Sequence, residues 1–271
     1  MKTKIKKYIF AVGGLAILLV STLSMAANFY VETDGDDSNS GSASDPFATI
    51  TGAMENSEVG SGDTIYVGSG TFEENIIVDK EVEIYGDGTG DTIISPEDDE
   101  EHTITISADD TEIKYLTVTG STSSDAACIY VESGVQDGSI RYCEITDGYY
   151  GVYLDNTDNV DLYQNDFQDN VIGLYLNGAE DSDVTYNSFD NNDTGIYTHE
   201  SDLDGIDNND FSDGEYGIYL DAGDDLSDDD VESLEEANDF DDLESADVYL
   251  DEDSSCFIST GFSAHVKLHK R

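Results

Sequence analysis

Residues 151–172 read GVYLDNTDNVDLYQNDFQDNVI, residues 173–194 read GLYLNGAEDSDVTYNSFDNNDT, and residues 195–216 read GIYTHESDLDGIDNNDFSDGEY. Laid over one another, they repeat at a step of 22 residues. Gly151-Val152-Tyr153-Leu154 returns as Gly173-Leu174-Tyr175-Leu176, as Gly195-Ile196-Tyr197-Thr198 and as Gly217-Ile218-Tyr219-Leu220. Asn165, Asn187 and Asn209 form a second column, each followed two residues later by Phe167, Phe189 or Phe211. Leu162, Val184 and Ile206 form a third. The unit is too short for a two-helix repeat and lacks the leucine spacing of leucine-rich repeats. Its short β-branched and aromatic runs are separated by Asn, Asp and Gly, and Val152, Tyr153 and Leu154 alternate as a strand does. Two or three short strands with sharp turns make one coil of a β-solenoid.

Outward from this core the same columns continue. Ile140, Cys143 and Ile145 precede Leu162, Asn165 and Phe167 by one step, and Ile113, Leu116 and Val118 fit the coil before. Thr64–Val67 and Val82–Tyr85 read as earlier strands. Asn238-Asp239-Phe240 resumes the pattern after an acidic insertion near 224–237. The expectation is an all-β, single-stranded parallel β-helix of about eight coils, each adding ~4.8 Å along the axis. The phenylalanines then stack inside. The asparagines form a turn ladder, as a residue that tolerates the left-handed region and bonds through its amide to the next coil. Open solenoid ends need covering. Residues 46–59 (PFATITGAMENSEV) read as a short amphipathic N-terminal cap entered from Asp45 as N-cap.

Charge divides the chain. Lys2, Lys4, Lys6 and Lys7, the apolar run from Tyr8 to Leu23 and the small-residue site at Ser24-Met25-Ala26 read as a signal peptide over 1–26, with no membrane span left after cleavage. This predicts a secreted, periplasmic or cell-surface protein. Between Asn28 and Cys256 lie all 62 acidic residues, against three basic ones, Lys80, Lys114 and Arg141. Such a body excludes nucleic acid as a partner and disfavours anionic membranes and acidic polysaccharides. Regularly spaced aromatics, 17 Tyr and 10 Phe in all, argue against acidic disorder. The three cysteines are odd in number for an exported chain, so at least one is unpaired or joins another chain; a Cys128–Cys143 bridge has no motif behind it.

The stretch Phe29-Tyr30-Val31, Asp34–Gly41 and Asp45–Ile50, followed by Gly62–Val67, Gly70–Ile76 and Ile84-Tyr85-Gly86, resembles the opening of secreted bacterial right-handed β-helix proteins of the pectin-lyase-like superfamily. The 22-residue units resemble the parallel β-helix repeats of the same proteins, so the resemblance runs in outline from Asn28 to Leu250 and implies one β-helix domain over 27–250. It is specific for fold; one fold hosts many functions. The tail over 251–271 contains Cys256-Phe257-Ile258-Ser259-Thr260, similar to a Cys-Phe-Ile sorting box, but the hydrophobic stretch such a box leads into is missing; a frayed terminus is the alternative.

The resemblance implies activities that the residues do not support. A uronate lyase on this fold uses Arg or Lys, and only three basic residues are available. The Arg and paired Asp of the pectin methylesterases are not found, nor are the ordered motifs of the polygalacturonases. Glycoside hydrolysis asks only for two carboxylates, which are too abundant here to single out. His199 stands in the column of Asp155, Asn177 and Asp221, where it reads as a solvated turn residue, with a ligand or general base as the alternative. No histidine cluster suits zinc or copper.

Two columns are candidates for binding. Tyr153, Tyr175, Tyr197 and Tyr219 form an aromatic stripe suited to neutral glycans, or else stabilise the sheet on which they stand. Asp158, Glu180, Asp202 and Asp224 place like charges one strand spacing apart, which a hard cation such as Ca2+ would relieve and which salt would otherwise screen. The reading is an exported, acidic β-helix that binds carbohydrate or cell-surface components without catalysis. The alternatives are a polysaccharide-active enzyme, a glycoside hydrolase in preference to a lyase, and an accessory protein for a periplasmic metalloenzyme.

Overall fold

The computed structural model describes residues 26–221 and 228–250. The expected signal peptide, apart from its last residue, and the Cys-Phe-Ile tail lie outside the described residues. Three parallel sheets of eight strands run along one axis. Sheet 1 begins with Asn28–Val31 and ends with Ile206–Asp207, sheet 2 runs from Gly70–Glu73 to Asp239–Asp241, and sheet 3 from Ile76–Val78 to Ala246–Leu250. The chain visits sheets 1, 2 and 3 in turn, so each strand pairs with its counterpart one coil away. The eight coils agree with the expected number.

Register follows the inward side chains. In sheet 1, Ile65, Ile84, Ile113, Ile140, Leu162, Val184 and Ile206 are successive partners. In sheet 2 the column runs Phe72, Ile94, Val118, Ile145, Phe167, Phe189, Phe211 and Phe240. Its four terminal rings stack at 4.6, 4.8 and 4.9 Å with planes within 10°. This stack explains the glycine that opens each repeat. A Cβ at Gly173 would stand 2.7 Å from the Gly195 carbonyl oxygen and 2.9 Å from the Phe189 ring. Only glycine lets backbone and ring approach so closely.

The asparagine ladder is present, buried at Asn165, Asn187 and Asn209 and half-buried at Asn238. The Oδ1 of Asn165, Asn187, Asn209 and Asn238 accepts from the backbone N–H of Cys143, Asn165, Asn187 and Asn209 respectively, at 2.9–3.0 Å. Each Nδ2 donates to the carbonyl of Ile140, Leu162, Val184 or Ile206. The expected reason for asparagine needs correcting: the left-handed residue is the one before it, Gln164, Tyr186 or Asn208. The asparagine is there to satisfy buried backbone groups at the corner. A second ladder, not expected, turns the next corner: Asn170 and Asn192 accept from the N–H of Gly148 and Asn170, behind left-handed Asp169 and Asn191.

The N-terminal cap is shorter than predicted. Helix α1 covers Ile50–Glu55 and is capped by Thr49 rather than Asp45. Phe47 is still extended, exchanging backbone bonds with Tyr30 and Glu32, so no helix can begin before it. Asp45 instead accepts from Ser40. The buried Glu74 carboxylate receives the N–H groups of Ile50 and Thr51, where a helix start favours negative charge. At the other end the acidic insertion folds in part as helix α2, Asp228–Ala237. Its Leu234 joins the core beside the last coil, covering the end that the sequence left open. Cys128 and Cys143 are both free and buried, so the Cys128–Cys143 bridge is not made.

Candidate functional site

Alternation puts the tyrosine column on the outer face of sheet 3. Tyr153, Tyr175, Tyr197 and Tyr219 are in register, and the column extends beyond the four expected, to Tyr130 and to Tyr249. Successive centroids are 5.3, 4.7, 5.1, 4.8 and 5.0 Å apart. His102 stacks on Tyr130 at 4.3 Å; its Nδ1 accepts the Ala127 N–H, and burial holds its pKa below the usual value. Tyr150 and Tyr216 thicken the stripe against Tyr175 and Tyr249.

Rings packed this way turn much of their area towards one another. What a ligand meets is ring edges and hydroxyls. Burial first, then neighbouring phenols and carboxylates, pushes the Tyr175 phenol up to about 12; burial, then the Asp155 carboxylate, raises Tyr130 as well.

A polar row follows where the strands end. Asp155, Asn177 and His199 are strand partners, and His199 bonds to Asp221 one coil on. The Tyr130 hydroxyl donates to Asp155 at 3.0 Å and the Tyr197 hydroxyl to Asp221 at 3.2 Å. Asn177 donates to Asp155 at 2.8 Å, and His199 Nδ1 lies 3.0 Å from Asp221. The expectation of a merely solvated His199 is thus corrected, because the imidazole is tied to a carboxylate at the end of the tyrosine stripe. The step is 22 residues in both columns, but no pattern within one repeat announces that they touch.

The acidic column behaves differently. Asp158 and Glu180 pair through the backbone, and the Asp202 N–H bonds to Ala179 in the equivalent place. Asp224 lies outside the described residues. Among the described residues no three His, Cys, Asp or Glu side chains converge as metal ligands would. The denser acidic face is on sheet 2, where Glu144, Asp166 and Asp190 are neighbours, followed by Asp210, Asp239 and Asp241. Burial, aided by these like charges, raises the pKa of Asp166 and Asp210.

Sheet 1 carries a second tyrosine ladder that the sequence reading missed. Tyr30, Tyr66, Tyr85, Tyr115, Tyr142, Tyr163 and Tyr186 follow one another at 4.8–5.8 Å. Their spacing in sequence is irregular because the early coils differ in length, and Tyr115, Tyr142 and Tyr186 occupy left-handed corners. Beside them, Lys114 pairs with Glu83 and Glu112, and Arg141 with Asp161.

Residues 102–235 match the family model described as the right-handed β-helix region. A search of curated proteins found no match. Among solved structures, the chain is similar to pectate lyase Pel9A, with 13% identity over 85% of this chain and 79% of that one, and a TM-score of 0.55. It is similar to the A-module of mannuronan C-5 epimerase AlgE4 from Azotobacter vinelandii, with 19% identity, a TM-score of 0.50, and coverage of 65% of this chain and 55% of the module. It is also similar to XylC in its complex with xylose, with 9% identity over 72% of this chain and 64% of that one, and a TM-score of 0.51. The chain therefore spans little more than half of the epimerase module. At these identities the likeness is one of fold. Among the described residues no helix is long and apolar enough to cross a membrane. With its three parallel sheets and inward ladders, and with residues 102–235 matching the right-handed β-helix model, the chain folds as a right-handed parallel β-helix.

Proposed function

We propose that the outer face of sheet 3 binds an extended, uncharged glycan without cleaving it. The observation that carries this is the unbroken stripe from Tyr130 to Tyr249, edged by Asp155, Asn177, His199 and Asp221. A polysaccharide laid along the axis would meet one phenol hydroxyl per coil, at a step near that of a pyranose in an extended chain. The stacked rings favour hydrogen bonding to hydroxyls, with stacking confined to ring edges. The acidic body disfavours uronates. The fold supports the reading, since the three solved structures named above are a pectate lyase, a mannuronan epimerase module and a protein complexed with xylose. Export, as expected from the leader, would put this face where polysaccharides are met.

One observation favours catalysis as the rival: the His199–Asp221 pair beside the Tyr197 hydroxyl can hold and release a proton. Binding to an array of neutral glycans, with reducing-sugar release measured in parallel, tests both. The expected result is binding lost in a Tyr175→Ala, Tyr197→Ala double variant, with no sugar released by the parent protein. Unchanged binding in that variant rejects the stripe. Sugar release abolished by His199→Ala establishes the rival.

A further inference from the structure

All sixteen tyrosines of the described residues have another tyrosine ring with its centroid 4.7–5.8 Å away. In two pairs the rings are nearly parallel as well as close: Tyr115–Tyr142 at 4.8 Å and 3°, and Tyr197–Tyr219 at 4.8 Å and 8°. Each pair joins adjacent coils.

Among the described residues an oxidant finds little else. The chain has no Trp. Met54, on the inner side of helix α1, is buried. Cys128 and Cys143 are wholly buried, and burial raises both pKa values, Cys143 to about 12, so the reactive thiolate is suppressed. The tyrosines, by contrast, are half-buried or exposed on two outer faces.

We propose that the two tyrosine ladders are oxidative cross-linking sites, at which a peroxide-derived one-electron oxidant joins neighbouring coils as dityrosine. Each phenol of a pair gives one electron to the oxidant and its proton to solvent or a carboxylate. Asp155 and Asp221 already accept hydrogen bonds from the Tyr130 and Tyr197 hydroxyls at 3.0 and 3.2 Å. The two phenoxyl radicals couple through ring carbons ortho to oxygen, forming one carbon–carbon bond. The two ortho hydrogens move to the oxygens, and both phenols are restored. One hydrogen peroxide becomes two waters per link, and the protein loses two hydrogen atoms.

The ladder matters because coupling requires two radicals to meet. In a stack, a radical formed on any ring has a chain of equivalent neighbours, and the partner is held in place before either is oxidised. The product would tie coils together covalently on a solenoid whose two described thiols, Cys128 and Cys143, are buried. This inference is independent of glycan binding.

The test treats the full-length protein with a haem peroxidase and hydrogen peroxide, native and unfolded in urea. The expected product is a monomer that has lost two hydrogen atoms per link and shows dityrosine fluorescence. Peptides cut after Glu should join Tyr115 to Tyr142 and Tyr197 to Tyr219, with a yield several-fold above the urea sample. Tyr219→Phe keeps a ring in the stack but removes its phenol. It should abolish the Tyr197–Tyr219 link and leave Tyr115–Tyr142 intact. Equal yield and scattered links in urea would overturn the proposal, as would links formed only between molecules or a native protein without dityrosine.

Discussion

The two halves of this helix reach the same cross-section by different means. From Ile140 onwards, to Ile206, inward residues of sheet 1 recur every 22 residues, corners are closed by asparagine ladders and sheet 2 is filled with stacked phenylalanines. Before Ile140 the same column of partners is Ile65, Ile84, Ile113 and Ile140, at unequal steps, with mainly aliphatic side chains inside beside Phe72, and a corner asparagine, Asn75, that bonds to the next coil without forming a ladder. Register is therefore set by the inward apolar column, which tolerates loops of different length. Ladders are an addition that becomes available where successive corners have the same length, because only then do equivalent backbone groups face one another.

The comparison is broken most severely at the ring stack. Phe189 is fully buried between Phe167 and Phe211. Phe189→Ala should cost about 3–5 kcal/mol, as a large-to-small change in a core. Phe189→Leu should still cost about 1–3 kcal/mol, since two aromatic pairs are worth ~0.5–1.5 kcal/mol each beyond their area. Ile94→Leu, in the same column of the irregular half, breaks no ring pair and should cost under about 1.5 kcal/mol. Denaturant melts of the three variants check this. If Phe189→Leu and Ile94→Leu have equal effects, the stack adds nothing beyond apolar volume.

The corners come next. Asn187 accepts the Asn165 N–H and donates to the Leu162 carbonyl, all buried. Asn187→Ala orphans both groups and should cost about 2–5 kcal/mol, at roughly 1–3 kcal/mol per buried unsatisfied group with water entry lowering the sum. Asn187→Asp should be little better at neutral pH, because the acid can accept but not donate. Hydrogen exchange at the Asn165 amide is the local readout. An amide that stays protected in Asn187→Ala would show that the corner does not need its ladder.

These elements also explain what was legible beforehand. The regular half could be read from the sequence, because equal corners turn spatial columns into a fixed step. Tyr153, Tyr175, Tyr197 and Tyr219 were found that way. The seven-tyrosine ladder of sheet 1 was not, since Tyr30, Tyr66 and Tyr85 belong to coils of unequal length and Tyr115, Tyr142 and Tyr186 stand at corners. The asparagines were located, but the left-handed conformation was assigned one residue late, since Asn favours both roles. The Asn170–Asn192 ladder is shorter and was overlooked beside Asn165. The link between His199 and Asp221 depends on how two coils stack and is not written in either repeat.

The smallest effect separates the halves by sign. All three basic residues of the described chain, Lys80, Lys114 and Arg141, lie before residue 142. Glu112 feels burial, which raises its pKa, but the hydrogen bond and charge of Lys114, with help from Ser139 and Arg141, outweigh it and leave the pKa lowered. Its contribution is present above the ordinary carboxylate range and is lost as pH falls through the lowered value. Asp166 has no cation beside it; burial, then Glu144 and Asp190, leave its pKa raised despite bonds from Gln168 and Ser188. Ionisation there costs stability, so its favourable contribution exists below the ordinary carboxylate range and fades as pH rises through the raised value. At neutral pH, Asp166→Asn should therefore raise Tm slightly and Glu112→Gln should lower it slightly, each by under ~1 kcal/mol, as befits half-exposed groups. Melts of both variants against the parent, from pH 7 down to pH 3, should show the two differences shrinking towards zero from opposite sides. If both variants shift Tm in the same direction at pH 7, the charge environments of the two halves are not opposed, and their difference lies in packing and corner ladders alone.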